Sequence, residues 1–97
     1  MTNIEKLFAF FDAENQRDWQ IYQTFLSDQV SWELQGDTTE IIKGKADYLS
    51  KIQKVYHKNP VQFSCTHYQL SPDQNRIVTI LENDLGDLSC DIFFFEK

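Results

Sequence analysis

The stretch that decides the fold is residues 61–95, VQFSCTHYQLSPDQNRIVTILENDLGDLSCDIFFF. It contains three strand-like runs rich in β-branched and aromatic residues, at 61–70, 76–83 and 88–95. Two short segments with turn chemistry separate them, SPDQN at 71–75 and DLGD at 84–87. Because such short connections join antiparallel neighbours, the stretch predicts a three-stranded antiparallel sheet.

The residues before this stretch predict three helices and one hairpin. Thr2 and Glu5 have capping-box spacing, and a stripe of apolar residues follows at helical spacing. Asp18 can cap a second helix, and a third helical pattern runs over 45–57. Between these helices, two strand-like runs at 30–34 and 40–43 flank a turn at Gly36-Asp37. Helices mostly precede strands, which predicts one α+β domain over 1–97.

The composition argues against several classes of partner. The chain has 97 residues and a formal net charge of −6 at pH 7, which disfavours nucleic-acid backbones and anionic membrane surfaces. No apolar run approaches the roughly 20 residues that span a bilayer, and the first residues lack the pattern of a signal peptide. With 41% hydrophobic residues, the sequence predicts an ordered cytoplasmic protein without nucleic-acid or membrane partners.

Cysteine and histidine usage gives no sign of a metal or cofactor. Cys65 and Cys90 lie in strand-like runs without a CxxC pattern, so two reduced thiols are expected, and a disulfide between adjacent strands is the alternative. His57 and His67 have no fixed spacing to the cysteines. The sequence also lacks a glycine-rich phosphate loop. We therefore expect neither a metal site nor a bound cofactor.

The order helix, helix, strand, strand, helix, strand, strand, strand resembles the nuclear-transport-factor-2-like (SnoaL-like) superfamily, which includes ketosteroid isomerases and polyketide cyclases. Residues 15–19 (NQRDW) resemble its helix–helix corner, and 25–33 (FLSDQVSWE) the entry to its first strand. Gly36 with 42–45 (IKGK) resembles its hairpin and third helix, and 90–95 (CDIFFF) one of its late strands. The resemblance implies an α+β roll, in which three helices pack on a cone-shaped, strongly curved antiparallel sheet.

The resemblance also implies an open sheet edge. Members of the superfamily usually continue after this late strand into a final strand, whereas this sequence ends at Glu96-Lys97. We therefore expect the final strand to be missing, either because this member lacks it or because the sequence is cut short before it. An unpaired edge invites pairing with a further strand.

The resemblance further implies a pair of catalytic carboxylates. Isomerases of this type use one carboxylate as a general base and hydrogen-bond donors that stabilise an enolate oxygen. Glu33 aligns with the base and Asp91 with a protonated aspartate donor, so both are predicted to face one cavity, with Asp91 the harder to ionise. Phe10 aligns with a donor tyrosine and offers no donor, which predicts weak or absent ketosteroid isomerisation.

A different interpretation applies to both carboxylates. A single acidic residue on a strand is usually solvated. Glu33 alternates with Trp32 and Leu34, so it points outward if those two face the helices.

The pocket implied by the resemblance is mostly apolar. Phe10, Trp32, Ile52 and His67 are predicted to line it, with Trp32 as the first choice. The alternative is that the aromatic side chains belong to the core. For His67, which shares a predicted strand face with Cys65, the alternative is a hydrogen-bonded core histidine.

Two functions are consistent with these features. The first is binding of a small apolar or aromatic molecule, with isomerisation, cyclisation or dehydration as candidate reactions. The second is a non-enzymatic dimerisation or protein-interaction module. Residues 92–95, IFFF, are apolar on both strand faces. Because a bare apolar patch is unusual on a monomer, they predict a homodimer through the outer face of the sheet.

Overall fold

The computed structural model describes residues 1–96 and has the predicted order of elements. The helices are Asn3–Gln16 (α1), Trp19–Tyr22 (α2) and Lys45–Val55 (α3), and a 3-10 turn at Gln23–Phe25 follows α2. The strands are Ser31–Gln35 (β1), Thr39–Lys43 (β2), Phe63–Leu70 (β3), Arg76–Asn83 (β4) and Leu88–Phe94 (β5). Lys97, where the open sheet edge was expected, lies outside the described residues.

Local side-chain caps start the first two helices, as predicted. The Thr2 hydroxyl accepts from the Glu5 backbone N–H at 3.3 Å, and the Glu5 carboxylate accepts from the Thr2 N–H at 3.0 Å. The Asp18 carboxylate accepts from the Ile21 N–H at 3.1 Å and opens α2. Between these caps, Arg17 has a φ of 59° and turns the chain sharply at the end of α1.

The strands pair antiparallel, which confirms the α+β architecture. β1 pairs with β2 in one sheet, and β4 lies between β3 and β5 in a second sheet. The two sheets are not closed into a barrel. No helix within residues 1–96 has both the length and the apolar character needed to cross a membrane.

A β-bulge in β3 changes which residues share a face. The register shifts after Cys65, so Cys65 pairs with Leu81 whereas His67 pairs with the adjacent Ile80. Adjacent strand residues point to opposite faces. His67 therefore lies on the outer, exposed face, and the expectation that it shares a face with Cys65 is wrong.

The core lies between α1 and the inner face of the β3–β4–β5 sheet. Leu7 and Phe11 on α1 are 2% and 5% exposed, and Ile77 and Leu81 on β4 are 0% and 8% exposed. The ring of Phe11 meets that of Phe93 edge-on at 5.5 Å. Burial of this apolar face fixes α1 against the sheet, and with it any polar residue that lies on the same side of the helix.

Candidate functional site

A group of polar side chains lies in the interior where the three helices meet. We call it the interior polar cluster: Glu14 on α1, Tyr22 on α2, Tyr48 on α3, and Tyr56 directly after α3. The Tyr56 hydroxyl donates to the Glu14 carboxylate at 2.5 Å, and the hydroxyls of Tyr22 and Tyr48 are 3.3 Å apart. Over residues 1–96, every buried side-chain nitrogen or oxygen has a hydrogen-bond partner.

Sequence analysis did not identify Glu14, although its spacing carries a signal. Glu14 follows Leu7, Phe10 and Phe11 at i+7, i+4 and i+3, which is the core-facing stripe of α1. A carboxylate on an apolar helix face is rarely buried without a partner. The partner, Tyr56, lies 42 residues further along the chain, so only the folded structure reveals it.

The surroundings of Glu14 favour its protonated form. Burial is the largest influence and raises the pKa of the Glu14 carboxyl, while hydrogen bonds from Tyr56 and Tyr22 lower it. The charge of Asp91 raises that pKa further, and the charge of Arg17 lowers it. The net direction is upward.

The three tyrosines are hydrogen-bond donors at neutral pH. Burial raises the pKa of Tyr48 to about 12 and also raises the pKa values of Tyr22 and Tyr56. Their hydroxyls therefore stay protonated. Each hydroxyl can donate one hydrogen bond, and those of Tyr56 and Tyr22 donate to Glu14 and to Tyr48 in this arrangement.

Asp91 faces the interior from β5. Asp91 and Phe93 are half-buried, whereas Ile92 between them is exposed. Asp91 therefore shares the inner face of β5 with Phe93. Its strand partner Thr79 is 0% exposed and donates its hydroxyl to the Asp91 backbone carbonyl at 3.0 Å. The Asp91 charge raises the pKa values of Glu14, Tyr48 and Tyr56. Asp91 is thus the second carboxylate of this interior site.

Glu33 lies elsewhere. It is exposed, accepts a hydrogen bond from the Gln35 side chain at 3.1 Å, and pairs with the exposed Ile41. Its neighbour Trp32 points to the opposite, inner face. The structure therefore does not bring Glu33 and Asp91 to one cavity. A catalytic role for Glu33 stays a prediction from the resemblance, and Glu14 takes the interior position instead.

Three of the four predicted pocket residues surround the interior polar cluster. The ring of Phe10 stacks on Tyr22 at 4.1 Å, and that of Trp32 lies 4.9 Å from Tyr48. Ile52, 5% exposed, belongs to the same core. The fourth, His67, lies on the outer face of β3.

Two depressions open on other parts of the surface. One of about 440 Å³ lies at the β3–β4 turn beside Arg76 and Phe94. Another of about 400 Å³ lies between β2 and α3. Neither is lined by Glu14, Asp91 or the cluster tyrosines.

Several solved structures share this fold. No family model matches the sequence, and no curated protein matches it. A proposed ketosteroid isomerase from Kribbella flavida superposes with a TM-score of 0.80 at 24% identity, covering 96% of this chain and 67% of that one. An NTF2-like protein of unknown function from Cytophaga hutchinsonii gives 0.69 at 19% identity, covering 95% and 87%.

A third structure contains a bound steroid derivative. It is a Mycobacterium tuberculosis protein in complex with estradiol-17β-hemisuccinate, with a TM-score of 0.69 at 16% identity, covering 92% of this chain and 76% of that one. At identities this low, the three similarities show a shared fold alone.

Proposed function

We propose that this chain, which has the nuclear-transport-factor-2-like fold, binds a small, neutral, mostly apolar molecule through one carbonyl or hydroxyl oxygen. The observation that carries the proposal is the half-buried Glu14, whose carboxyl accepts a hydrogen bond from Tyr56 and has a pKa raised by burial. Apolar walls from Phe10, Trp32 and Ile52 favour an apolar ligand body. The steroid derivative bound in the mycobacterial structure supports an apolar ligand body of this kind.

The two interior carboxyls also suit proton transfer. We propose that Asp91, to which the resemblance gave the role of protonated donor, acts instead as the base: its carboxylate takes a proton from the carbon beside a ligand carbonyl, while Glu14 gives its proton to the carbonyl oxygen. The C–H electron pair then forms the new carbon–carbon double bond of an enol, and the net charge of site and ligand does not change. Isomerisation and cyclisation both begin with such a step, in which one group accepts a proton while another donates one.

Entry of a ligand requires the aromatic rings to move. Phe10 stacks on Tyr22 at 4.1 Å, so a ligand that reaches the Tyr22 ring from that side has to displace Phe10. A ligand that binds only the open arrangement shifts the population toward it. The bound state should therefore differ from this one mainly in the positions of Phe10 and its ring neighbours.

Steroid binding is the direct test. We expect estradiol and a 3-ketosteroid to quench the fluorescence of Trp19 and Trp32, which contact the cluster tyrosines. Glu14→Gln should retain binding within about threefold because an amide also donates, whereas Glu14→Ala should weaken it about tenfold, the value of one hydrogen bond. Glu82→Gln, at an exposed glutamate of β4, is the matched control. Absence of saturable quenching, or equal losses in all three variants, would refute the proposal.

Proton transfer can be measured separately from ligand binding. The protein should accelerate hydrogen–deuterium exchange at the carbon beside the carbonyl of a bound ketone, and Asp91→Asn should reduce that rate about 100-fold or more. Asp12→Asn, at an exposed position of α1, should exchange at the unmodified rate. Glu33→Gln tests the assignment drawn from the resemblance: a loss as large as that of Asp91→Asn would make Glu33 the base.

A second function, self-association, is favoured by the outer face of the β3–β4–β5 sheet. Ile92 and Phe94 on β5 are 53% and 77% exposed, and Val78 pairs beside Ile92 on β4. We propose that this face forms a homodimer, because two copies of one apolar patch can cover each other around a two-fold axis. If no ligand binds the interior, the chain is a non-enzymatic interaction module that uses this face.

Replacing Phe94 should separate the dimer. Phe94→Glu places a carboxylate beside Arg76, its partner on β4. The monomer tolerates this carboxylate, whereas the dimer would have to bury its charge. Loss of a central contact of about 2 kcal/mol raises the dimer Kd about 30-fold. Leu85→Glu is the matched control, since Leu85 is also 77% exposed but lies in the β4–β5 turn. Sedimentation that gives equal masses for the two variants would contradict this interface.

We also propose a cytoplasmic setting. Cys65 and Cys90 are both free cysteines. Free thiols persist in reducing compartments, whereas secreted domains of this size commonly form disulfides.

A further inference from the structure

Arg17 connects the corner after α1 to the chain segment after α3. One guanidinium nitrogen, Nη2, donates to the backbone carbonyls of Asn59 and Val61, at 2.6 Å each. The other, Nη1, donates to the Glu14 carbonyl at 2.9 Å. The guanidinium carbon lies 3.9 Å from the centre of the Tyr56 ring. One side chain thus contacts the Tyr56 ring, the segment that follows Tyr56, and the backbone of Glu14.

We propose that Arg17 is the positioning residue of the Glu14–Tyr56 pair, and that it acts on Glu14 through the Tyr56 ring it covers. The inference rests on the proposed function, because it concerns the same carboxyl. Tyr56 follows the last turn of α3, and the Trp19 ring on α2 lies 5.9 Å from its ring. The contacts of Arg17 with the Tyr56 ring and with the carbonyls at 59 and 61 add a second constraint and hold the hydroxyl against Glu14.

Only an arginine has the geometry for this set of contacts. Its planar guanidinium stacks on a ring face while its in-plane N–H groups point outward to carbonyls. A lysine ammonium is a single point charge and cannot cover Tyr56 while holding both carbonyls. Arg17 therefore does more than supply a positive charge.

The charges around Glu14 agree with this role. Glu14 faces Tyr22 from α2, Tyr48 and Tyr56 from α3, Asp91 from β5, and the Arg17 guanidinium. The guanidinium lowers the pKa values of Glu14 and Tyr56, while burial and Asp91 raise them. Arg17 thus supplies the positive charge among the groups that set the pKa values of Glu14 and Tyr56.

A carbon-13 NMR titration of the Glu14 carboxyl tests the proposal without any ligand, so the result can be read even if no ligand binds. The signal is assigned by its loss in Glu14→Gln. We expect Arg17→Met to raise the pKa of Glu14. Lys58→Met, which removes an exposed cation two residues after Tyr56, should leave the titration unchanged. No rise in Arg17→Met, or an equal rise in both variants, would overturn the proposal.

Action through Tyr56 is tested by a double-mutant cycle. Tyr56→Phe keeps the ring under the guanidinium and removes the hydroxyl that donates to Glu14. The upward shift caused by Arg17→Met should therefore be smaller in the Tyr56→Phe background than in the wild type. Equal shifts in both backgrounds would show a purely electrostatic effect and overturn the role of Tyr56.

A milder substitution covers the case in which Arg17→Met does not fold. Arg17→Lys retains the charge but not the simultaneous contacts, so we expect the pKa of Glu14 to rise above its wild-type value. This shift should again diminish in the Tyr56→Phe background. A wild-type titration curve in folded Arg17→Lys would mean that charge alone suffices and would overturn the proposal.

Discussion

Phe10→Ala should lower the free energy of unfolding by about 3–5 kcal/mol, the range for removing a buried phenylalanine. Phe10 is 7% exposed, stacks on Tyr22 at 4.1 Å, and meets Phe25 and Phe93 edge-on at 6.2 and 6.4 Å. The substitution removes these ring contacts and that with Phe11, and it leaves a cavity beside the interior polar cluster. For a domain of about 100 residues, a loss of this size lowers the melting temperature by more than about 10 °C.

Urea unfolding measures this loss, and Phe8→Ala is the matched control. Phe8 lies on the same helix but is 39% exposed, with one edge-on contact to Tyr68, so its loss should be nearer about 1 kcal/mol. A small aromatic compound such as benzene should stabilise Phe10→Ala and leave Phe8→Ala unchanged, because only the former has a cavity to fill. Equal losses in the two variants would mean that Phe10 does not hold the interior closed.

Glu14→Gln should raise the free energy of unfolding at neutral pH relative to its effect at pH 4. The difference between the two effects should be about 1–3 kcal/mol, the range for a buried polar group without full compensation. The folded-state pKa of Glu14 is raised by burial above its unfolded value of about 4.3. The contribution of Glu14 to stability is therefore fully present below the unfolded pKa and is lost as the pH rises through the folded pKa. Glutamine does not ionise, so the variant avoids this loss.

Urea unfolding from pH 4 to pH 8 tests the sign. The stability difference between Glu14→Gln and the wild type should grow in favour of the variant as the pH rises, and then level off above the folded pKa. Glu82→Gln makes the same chemical change at an exposed residue, and its difference should stay within about 0.5 kcal/mol throughout. A flat difference for Glu14→Gln would show that Glu14 is ionised without penalty.

Most of the fold was predictable because its signals are local. The capping contacts of Thr2 and Asp18 involve residues three positions away, and the turns at 71–75 and 84–87 are set by their own residues. Strand alternation likewise put Asp91 and Phe93 on one face of β5. Differences at the element ends are small: β3 begins at Phe63, two residues later than the sequence suggested.

The candidate site was only partly predictable. Asp91, Phe10, Trp32 and Ile52 were identified in advance as site residues, and the structure places them around or next to the interior polar cluster. Glu33 was assigned to the interior by alignment alone. In the structure, its strand alternation with Trp32 turns it outward, which the alternative interpretation had allowed.

By itself, the sequence determined the caps, the turns, the element order and the antiparallel pairing, because each depends on residues close together in the chain. Only the tertiary structure decided which polar groups meet in the interior. A β-bulge in β3 moved His67 to the outer face. Packing of the helices and the sheet raised the pKa of the Glu14 carboxyl by burial, and Tyr56, 42 residues away, supplies its hydrogen bond. Burial and long-range hydrogen bonds exist only after the chain has packed, so no local pattern specifies them.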